Sequence, residues 1–207
     1  MTAPKRSEQT KERSSAPSDD EVPRRLLAEA DALDRAVYDA IGRTPMPSLD
    51  VLMVRLSDAA NYSGLWLVIA GALVLAGGEA GRGAAIRGLT AIGVASATAN
   101  LAAKHLLPRH RPDRAAIPAT RHARMPTSGS FPSGHTASAF AFVTAVTADF
   151  PQLSLPLYTI AAAVGYSRVH NGVHYPGDVV GGSVLGLVVG TSVREATLRL
   201  GGFFQSR

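Results

Sequence analysis

A chain of 207 residues without a cysteine has the size of one ordinary domain, and it excludes disulfides, thiolate catalysis and cysteine-ligated zinc or iron–sulfur sites at once. A formal net charge of +5 and a pI near 10.0 would ordinarily raise nucleic acid or an anionic surface as a partner, but here the excess is local. Between Lys104 and Arg124 the cations Lys104, Arg109, Arg111, Arg114, Arg121 and Arg124 face the single acid Asp113, which describes a solvated basic loop or an anion site and gives no reason to expect a nucleic acid partner.

Residues 1–23 mix both signs of charge with Ser, Thr and Pro and hold almost no large apolar residue; a disordered polar tail is expected there. Without an uninterrupted apolar core the tail does not read as a cleavable signal peptide. Over 24–61 two amphipathic helices are expected. Leu26, Ala30, Leu33, Val37 and Ile41 recur at three- and four-residue steps, and after Pro47 and Ser48 so do Leu49, Leu52, Met53 and Leu56. Charges recur too often in either helix for it to span a bilayer alone.

From residue 62 the character changes. Segment 62–78 carries no charge and 83–103 only Arg87, so both read as membrane spans. Three shorter segments, 135–148, 154–167 and 179–193, are rich in Ala, Gly, Ser and Thr, which suits helices packed against one another. The last sets Gly182, Gly186 and Gly190 at four-residue spacing, a face for close helix contact, although such spacing also arises by chance in a Gly-rich span. A soluble bundle would need more polar surface than these five segments leave. The expected fold is therefore all-α: a polytopic membrane helix bundle of five spans, six if an N-terminal helix joins them, over 62–195, with 196–207 as a C-terminal tail.

If the five spans alternate in direction, the end of the second, the start of the third, the end of the fourth and the start of the fifth share one side of the membrane. The unusual polar residues fall at those four places: Lys104 and Arg111; Ser133, Gly134 and His135; Ser167 and Arg168; His174 and Asp178. Lys104, Arg111 and Arg168 supply an ammonium and two guanidinium groups suited to phosphate oxygens. Pro132 suits the first turn of a helix, and the N–H groups of Ser133, Gly134 and His135, free of intrahelical acceptors at the positive end of a dipole, would add an anion cradle that Gly134 lets a ligand approach closely. His174 and Asp178 are four apart at a helix start, so the carboxylate can hold one ring nitrogen and leave the other as nucleophile or base; an acid that merely favours the helix dipole is the plainer reading of Asp178. Metal ligation by His135 and His174 is disfavoured, because the same three cations would repel a divalent ion.

Lys104 with Arg111 and Pro112 after six intervening residues, then Pro132-Ser133-Gly134-His135, then Ser167-Arg168 with His174 and Asp178 at their spacings, resemble the complete three-part signature of the type 2 phosphatidic acid phosphatase superfamily. The signature covers 104–178, and the helix pattern extends the likeness over 62–193. The superfamily also contains soluble acid phosphatases and vanadium haloperoxidases; the apolar segments favour the membrane lipid phosphate phosphatase branch, whose members usually show six spans where five are legible here. The resemblance implies a metal-independent, cofactor-free enzyme working through a phosphohistidine. His174 would attack phosphorus, Asp178 would orient it, and His135 would protonate the leaving oxygen and later activate water. Lys104, Arg111, Arg168, the Ser133 hydroxyl and the Ser133 and Gly134 amides would hold the phosphoryl oxygens. A phosphorylated lipid is the expected substrate and membrane lipids the expected surroundings; nothing in the sequence indicates an oligomeric state. The positive-inside rule would place the basic face in the cytoplasm, but phosphate binding already accounts for those cations, and the resemblance favours a multi-pass protein of the cell membrane with its catalytic face outside the cytoplasm. The alternative is a membrane protein that binds or transports a phosphorylated anion without chemistry; such a site would gain nothing from an oriented neutral imidazole.

Overall fold

The computed structural model describes residues 21–103, 106–115 and 117–205. Among them are seven α-helices and no strand: α1 Glu21–Arg43, α2 Pro47–Ala59, α3 Gly64–Ala76, α4 Gly78–Ala97, α5 Gly134–Thr147, α6 Ser154–His170 and α7 Pro176–Gln205. Contacts divide the chain into Met1–Leu33 and Asp34–Arg207. In the first unit the described part is the beginning of α1, an exposed stretch with an Arg25–Glu29 ion pair one turn apart. The described part of the helix begins at Glu21, inside the segment expected to be a tail.

The second unit holds everything else. α2 opens on Pro47, whose missing N–H costs nothing at a first helical position. A single 3-10 turn, Asn61–Ser63, joins it to α3, with Tyr62 and Ser63 in the left-handed region at φ 52 and φ 62. Gly78, at φ +57, turns the chain from α3 into α4, and α4 continues into a π-helical turn, Thr98–Ala103.

By length and composition the described helices do not confirm a count of five spans. Pro176–Arg199 in α7 is long and apolar enough to cross a membrane alone, and Pro47–Ala59 with Asn61–Ala76 passes only as a pair bent by 66°. α3, α5 and α6 have 13, 14 and 17 residues, and at ~1.5 Å per residue they fall short of a hydrocarbon core of ~30 Å. α4 with its π-helical continuation covers the expected 83–103 segment, in which Arg87 is the one charge, and Glu79 and Arg82 lie before it. The C-terminal boundary also moves: α7 runs on to Gln205, through most of the expected tail.

Helix α5 is the hub, packed by α4, α6 and α7. Its Ala137, Ala139, Ala141, Phe142, Val143, Ala145 and Val146 are wholly inaccessible, and Phe142 stacks at a tilt on Trp66 of α3 with centroids 5.3 Å apart. The glycine spacing of α7 is a real contact face. A Cβ at Gly182, Gly186 or Gly190 would stand 2.5–2.7 Å from the carbonyl oxygens of Ser133, Ala137 and Ala141, so α7 lies directly on the backbone of α5 and fixes the start of one helix against the start of the other.

Candidate active site

The start of α5 is built by Ser133. Its hydroxyl accepts from Thr136 Oγ1 at 2.9 Å and, at a long 3.5 Å, from the Thr136 N–H; it is the helix cap. Its own N–H donates to the Asp178 carbonyl at 2.9 Å, tying α5 to α7. Ser133 is inaccessible; its amide, expected to face an anion, is instead bonded inside the protein, while the hydroxyl accepts from Thr136 and keeps its own hydrogen to donate. Pro132 precedes the cap instead of occupying the first turn. Gly134 and His135 then open the helix, and the Gly134 position is open, with Asn100 of the π-helical turn 3.9 Å from where a Cβ would stand.

His174 lies in the loop between α6 and α7. Gly172, at φ +69, supplies the left-handed residue the reversal needs, and the Val173 and His174 amides both donate to the Arg168 carbonyl at 2.9 and 3.1 Å. His174 is 2% exposed. Arg111 Nη1 stands 3.2 Å from its Nε2; a guanidinium can only donate, so Nε2 is the unprotonated nitrogen and Nδ1 carries the hydrogen, facing Asp178 Oδ2 at 3.4 Å. Burial, with the Arg111 and Arg168 charges, lowers the His174 pKa to about 4 against the opposing pull of Asp178. The imidazole is neutral at physiological pH.

Asp178 is fully buried and multiply held: Oδ2 also accepts the Tyr175 N–H at 2.9 Å, and Oδ1 accepts Arg109 Nη1 at 2.9 Å. Arg111 is pinned by backbone carbonyls, Nε to Ser128 and Nη1 to Val173, each at 2.9 Å, and Nη2 to Gly129 at 3.1 Å, which makes it a rigid cation. His135 Nε2 is 3.0 Å from Asn61 Oδ1. An amide oxygen only accepts, so here Nε2 bears the proton.

Two adjoining cavities collect these groups. One of about 240 Å³ is lined by Arg111, Gly134, His135, His174, Asn100 and Ser96, among others. The other, about 410 Å³, shares Tyr62, Pro126, Ser128 and His135 with it and adds Arg124 and Arg168. Arg168 is 1% exposed; one Nη donates to Ser57, and its Nε is a buried donor with no partner among the described residues.

Of the expected site residues, then, His174, His135, Arg111 and Gly134 line one cavity, Arg168 meets His135 in the next, and Asp178 and Ser133 stand buried behind them. Lys104 lies outside the described residues. Sequence reasoning missed Asn61, Asn100 and above all Arg109 and Asp34. Arg109 was one cation in a basic run and Asp34 one acid on an amphipathic helix, with no local signal to single out either. Among the described residues, no three of His, Cys, Asp and Glu are grouped to hold a metal ion.

The helical fold thus sets a neutral, carboxylate-held imidazole beside pinned guanidinium groups, with a second histidine lining the same cavity. The chain belongs to the PAP2 superfamily, whose family model matches residues 84–200. It is 37% identical over 93 residues to the lipid A 1-phosphatase of Porphyromonas gingivalis, covering 43% of this chain and 18% of that protein. It is 36% identical over 73 residues to the undecaprenyl-diphosphatase BcrC of Bacillus subtilis, covering 34% of this chain and 38% of that one. The matches thus span well under half the length of these curated relatives. The fold resembles the crystal structure of a transmembrane PAP2 type phosphatidylglycerolphosphate phosphatase from Bacillus subtilis, with a TM-score of 0.65 and 25% identity over 83% of this chain and 87% of that one. It also resembles that of Aquifex aeolicus LpxE, at 0.61 and 23% over 79% and 95%.

Proposed function

We propose that this chain is a multi-pass membrane phosphatase that hydrolyses a lipid phosphate or diphosphate through a phosphohistidine, with its functional domain over 62–195 and its catalytic face outside the cytoplasm. The observation that carries the reading is the state of His174: Nδ1–H toward Asp178, Nε2 unprotonated beside Arg111, on a cavity shared with His135. A passive anion site has no use for that arrangement.

Nε2 of His174 attacks phosphorus, and the bond from phosphorus to the lipid oxygen breaks as protonated His135 gives that oxygen a proton. The imidazole, now phosphorylated at Nε2 and protonated at Nδ1, is cationic, and the Asp178 carboxylate stabilises it. Water then gives a proton to His135, its oxygen takes the phosphorus, the N–P bond breaks, and inorganic phosphate leaves with His174 neutral again. Arg111, Arg168 and the Gly134 amide hold the equatorial oxygens, with Lys104 completing the set, so charge is met by donors already in place. Ser133 contributes as the cap that keeps Gly134 and His135 in position.

The test is phosphate release by detergent-purified protein over a panel of phosphatidate, phosphatidylglycerophosphate, isoprenyl phosphate and isoprenyl diphosphate, with excess chelator present. At least one lipid should be turned over, at a rate the chelator leaves undiminished. No release from any of them, or activity lost to chelator and restored only by Mg²⁺ or Zn²⁺, would overturn the reading.

A further inference from the structure

Behind Asp178 lies an ion-pair chain that the mechanism above does not use. Arg109 Nη1 meets Asp178 Oδ1 at 2.9 Å, and Arg109 Nη2 meets Asp34 Oδ2 of α1 at 2.7 Å. Asp34 Oδ1 in turn accepts the Gly177 N–H at 2.6 Å, in the first turn of α7 and next to Asp178 itself. The guanidinium lies over the Tyr175 ring at 4.4 Å. The three side chains are 10%, 23% and 0% exposed from Asp34 through Arg109 to Asp178, so the chain runs inward from α1 to the residue that holds His174. Gly177 is shaped to it, since a Cβ there would stand 2.9 Å from Asp34 Oδ2.

We propose that Asp34 and Arg109 are a positioning pair for catalysis, with Arg109 fixing and neutralising Asp178 and Asp34 fixing and neutralising Arg109, so that α1 belongs to the catalytic machinery. The proposal rests on the reading of His174 as nucleophile. A fully buried carboxylate needs a cation, and a guanidinium that spans two carboxylates through separate nitrogens sets direction as well as charge. The 3.4 Å separation of Asp178 Oδ2 from His174 Nδ1 is at the long end for a hydrogen bond, so what aims Asp178 matters to what it can do for the ring. The charged groups acting on His174 are Asp178, Arg111 and Arg168; Asp178 also feels Arg111, and Arg35 shares the Tyr175 ring with Arg109 at 5.5 Å.

The two members act on the imidazole with opposite sign. Removing the Arg109 charge leaves Asp178 uncompensated, which favours the imidazolium and moves the acid limb of kcat/KM to higher pH. Removing the Asp34 charge leaves Arg109 uncompensated, which disfavours the imidazolium and keeps that limb where it is or moves it lower. Both changes loosen Asp178, and misplacement on the scale of 1 Å costs on the order of 100-fold in turnover.

The experiment compares Asp34→Asn, Arg109→Gln and Arg109→Lys with wild type, full length in detergent, by kcat, KM, the pH profile of kcat/KM and thermal unfolding. Expected are a kcat loss on the order of 10–100-fold for Asp34→Asn and Arg109→Gln with KM little changed, partial recovery in Arg109→Lys, and limbs shifted as stated. Should Arg109→Gln fail to fold, Asp34→Asn still decides, because it is isosteric and keeps the acceptor for the Gly177 N–H. Wild-type kcat in Asp34→Asn and Arg109→Lys, or an acid limb that rises in Asp34→Asn, would overturn the pair while leaving the phosphatase reading intact. A wild-type protein inactive on every lipid would overturn both.

Discussion

His174 is kept neutral chiefly by burial, and Asp178 opposes that effect while orienting the ring. The two influences serve different ends: burial with the Arg111 and Arg168 charges holds the pKa near 4, while the carboxylate selects which nitrogen keeps its proton. An ordinary imidazole, at 6.5, would be largely protonated at pH 5 or so, and an imidazolium cannot attack phosphorus. The consequence can be read directly: once substrate ionisation is allowed for, kcat/KM should carry no acid limb from His174 until the pH nears 4, and a limb at about 6.5 would contradict the assignment. Stability follows the same linkage. Between 6.5 and 4 the unfolded chain binds a proton that the folded one refuses, so stability from this group is intact above the unfolded value and falls as pH drops through the window. His135 differs by environment. It opens α5 on the wall of both cavities, with its Nε2–H on Asn61, so proton exchange with a leaving oxygen and with water suits it better than attack.

At the scale of the element, the site depends on how closely α5 and α7 approach, since Ser133 and His135 ride on one and Asp178 on the other. Gly186 sits under Ala137 O, with Phe140 Cβ 2.7 Å from where its own Cβ would stand. Gly186→Val should therefore destabilise by on the order of 1–3 kcal/mol through overpacking and depress turnover, because separating the helices breaks the Ser133–Asp178 backbone bond. Gly71→Ala, in α3, has nothing within 4 Å of the new Cβ and should be neutral or slightly stabilising, as alanine is the better helix former. Thermal unfolding in detergent with turnover on the same samples checks both; a Gly186→Val protein as stable and active as wild type would mean that the close contact does not position the site. The Asn61–Ser63 turn contributes in another way. Two non-glycine residues at positive φ are costly, and the turn they make carries Asn61 onto His135 and Tyr62 onto Arg124, 2.8 Å from its Nη1.

Across the whole molecule, the features legible in the sequence are those with a local signature. α5 was expected over 135–148 and occupies Gly134–Thr147, because an apolar run bounded by a Ser cap and Asp149 marks itself. Alternating helix direction led to the expectation that the unusual polar residues share one side, and His135, Arg111 and His174 line one cavity. What was not legible is whatever joins distant stretches. No pattern says which acid of an amphipathic helix turns inward, so Asp34 and its partner 75 positions away in sequence, Arg109, stayed hidden. Nor does a spacing rule show that the Ser133 amide is already bonded to a carbonyl of another helix. The central claim, that His174 is the residue that takes the phosphoryl group, is tested most directly by rapid-quench trapping with a lipid substrate labelled in its terminal phosphate, on wild type and His174→Ala side by side. An acid-labile, base-stable phosphoenzyme is expected in the wild type, mapped to His174, and none in His174→Ala along with abolished turnover. A phosphoenzyme trapped in His174→Ala, or turnover persisting without it, would show that another group takes the phosphoryl group.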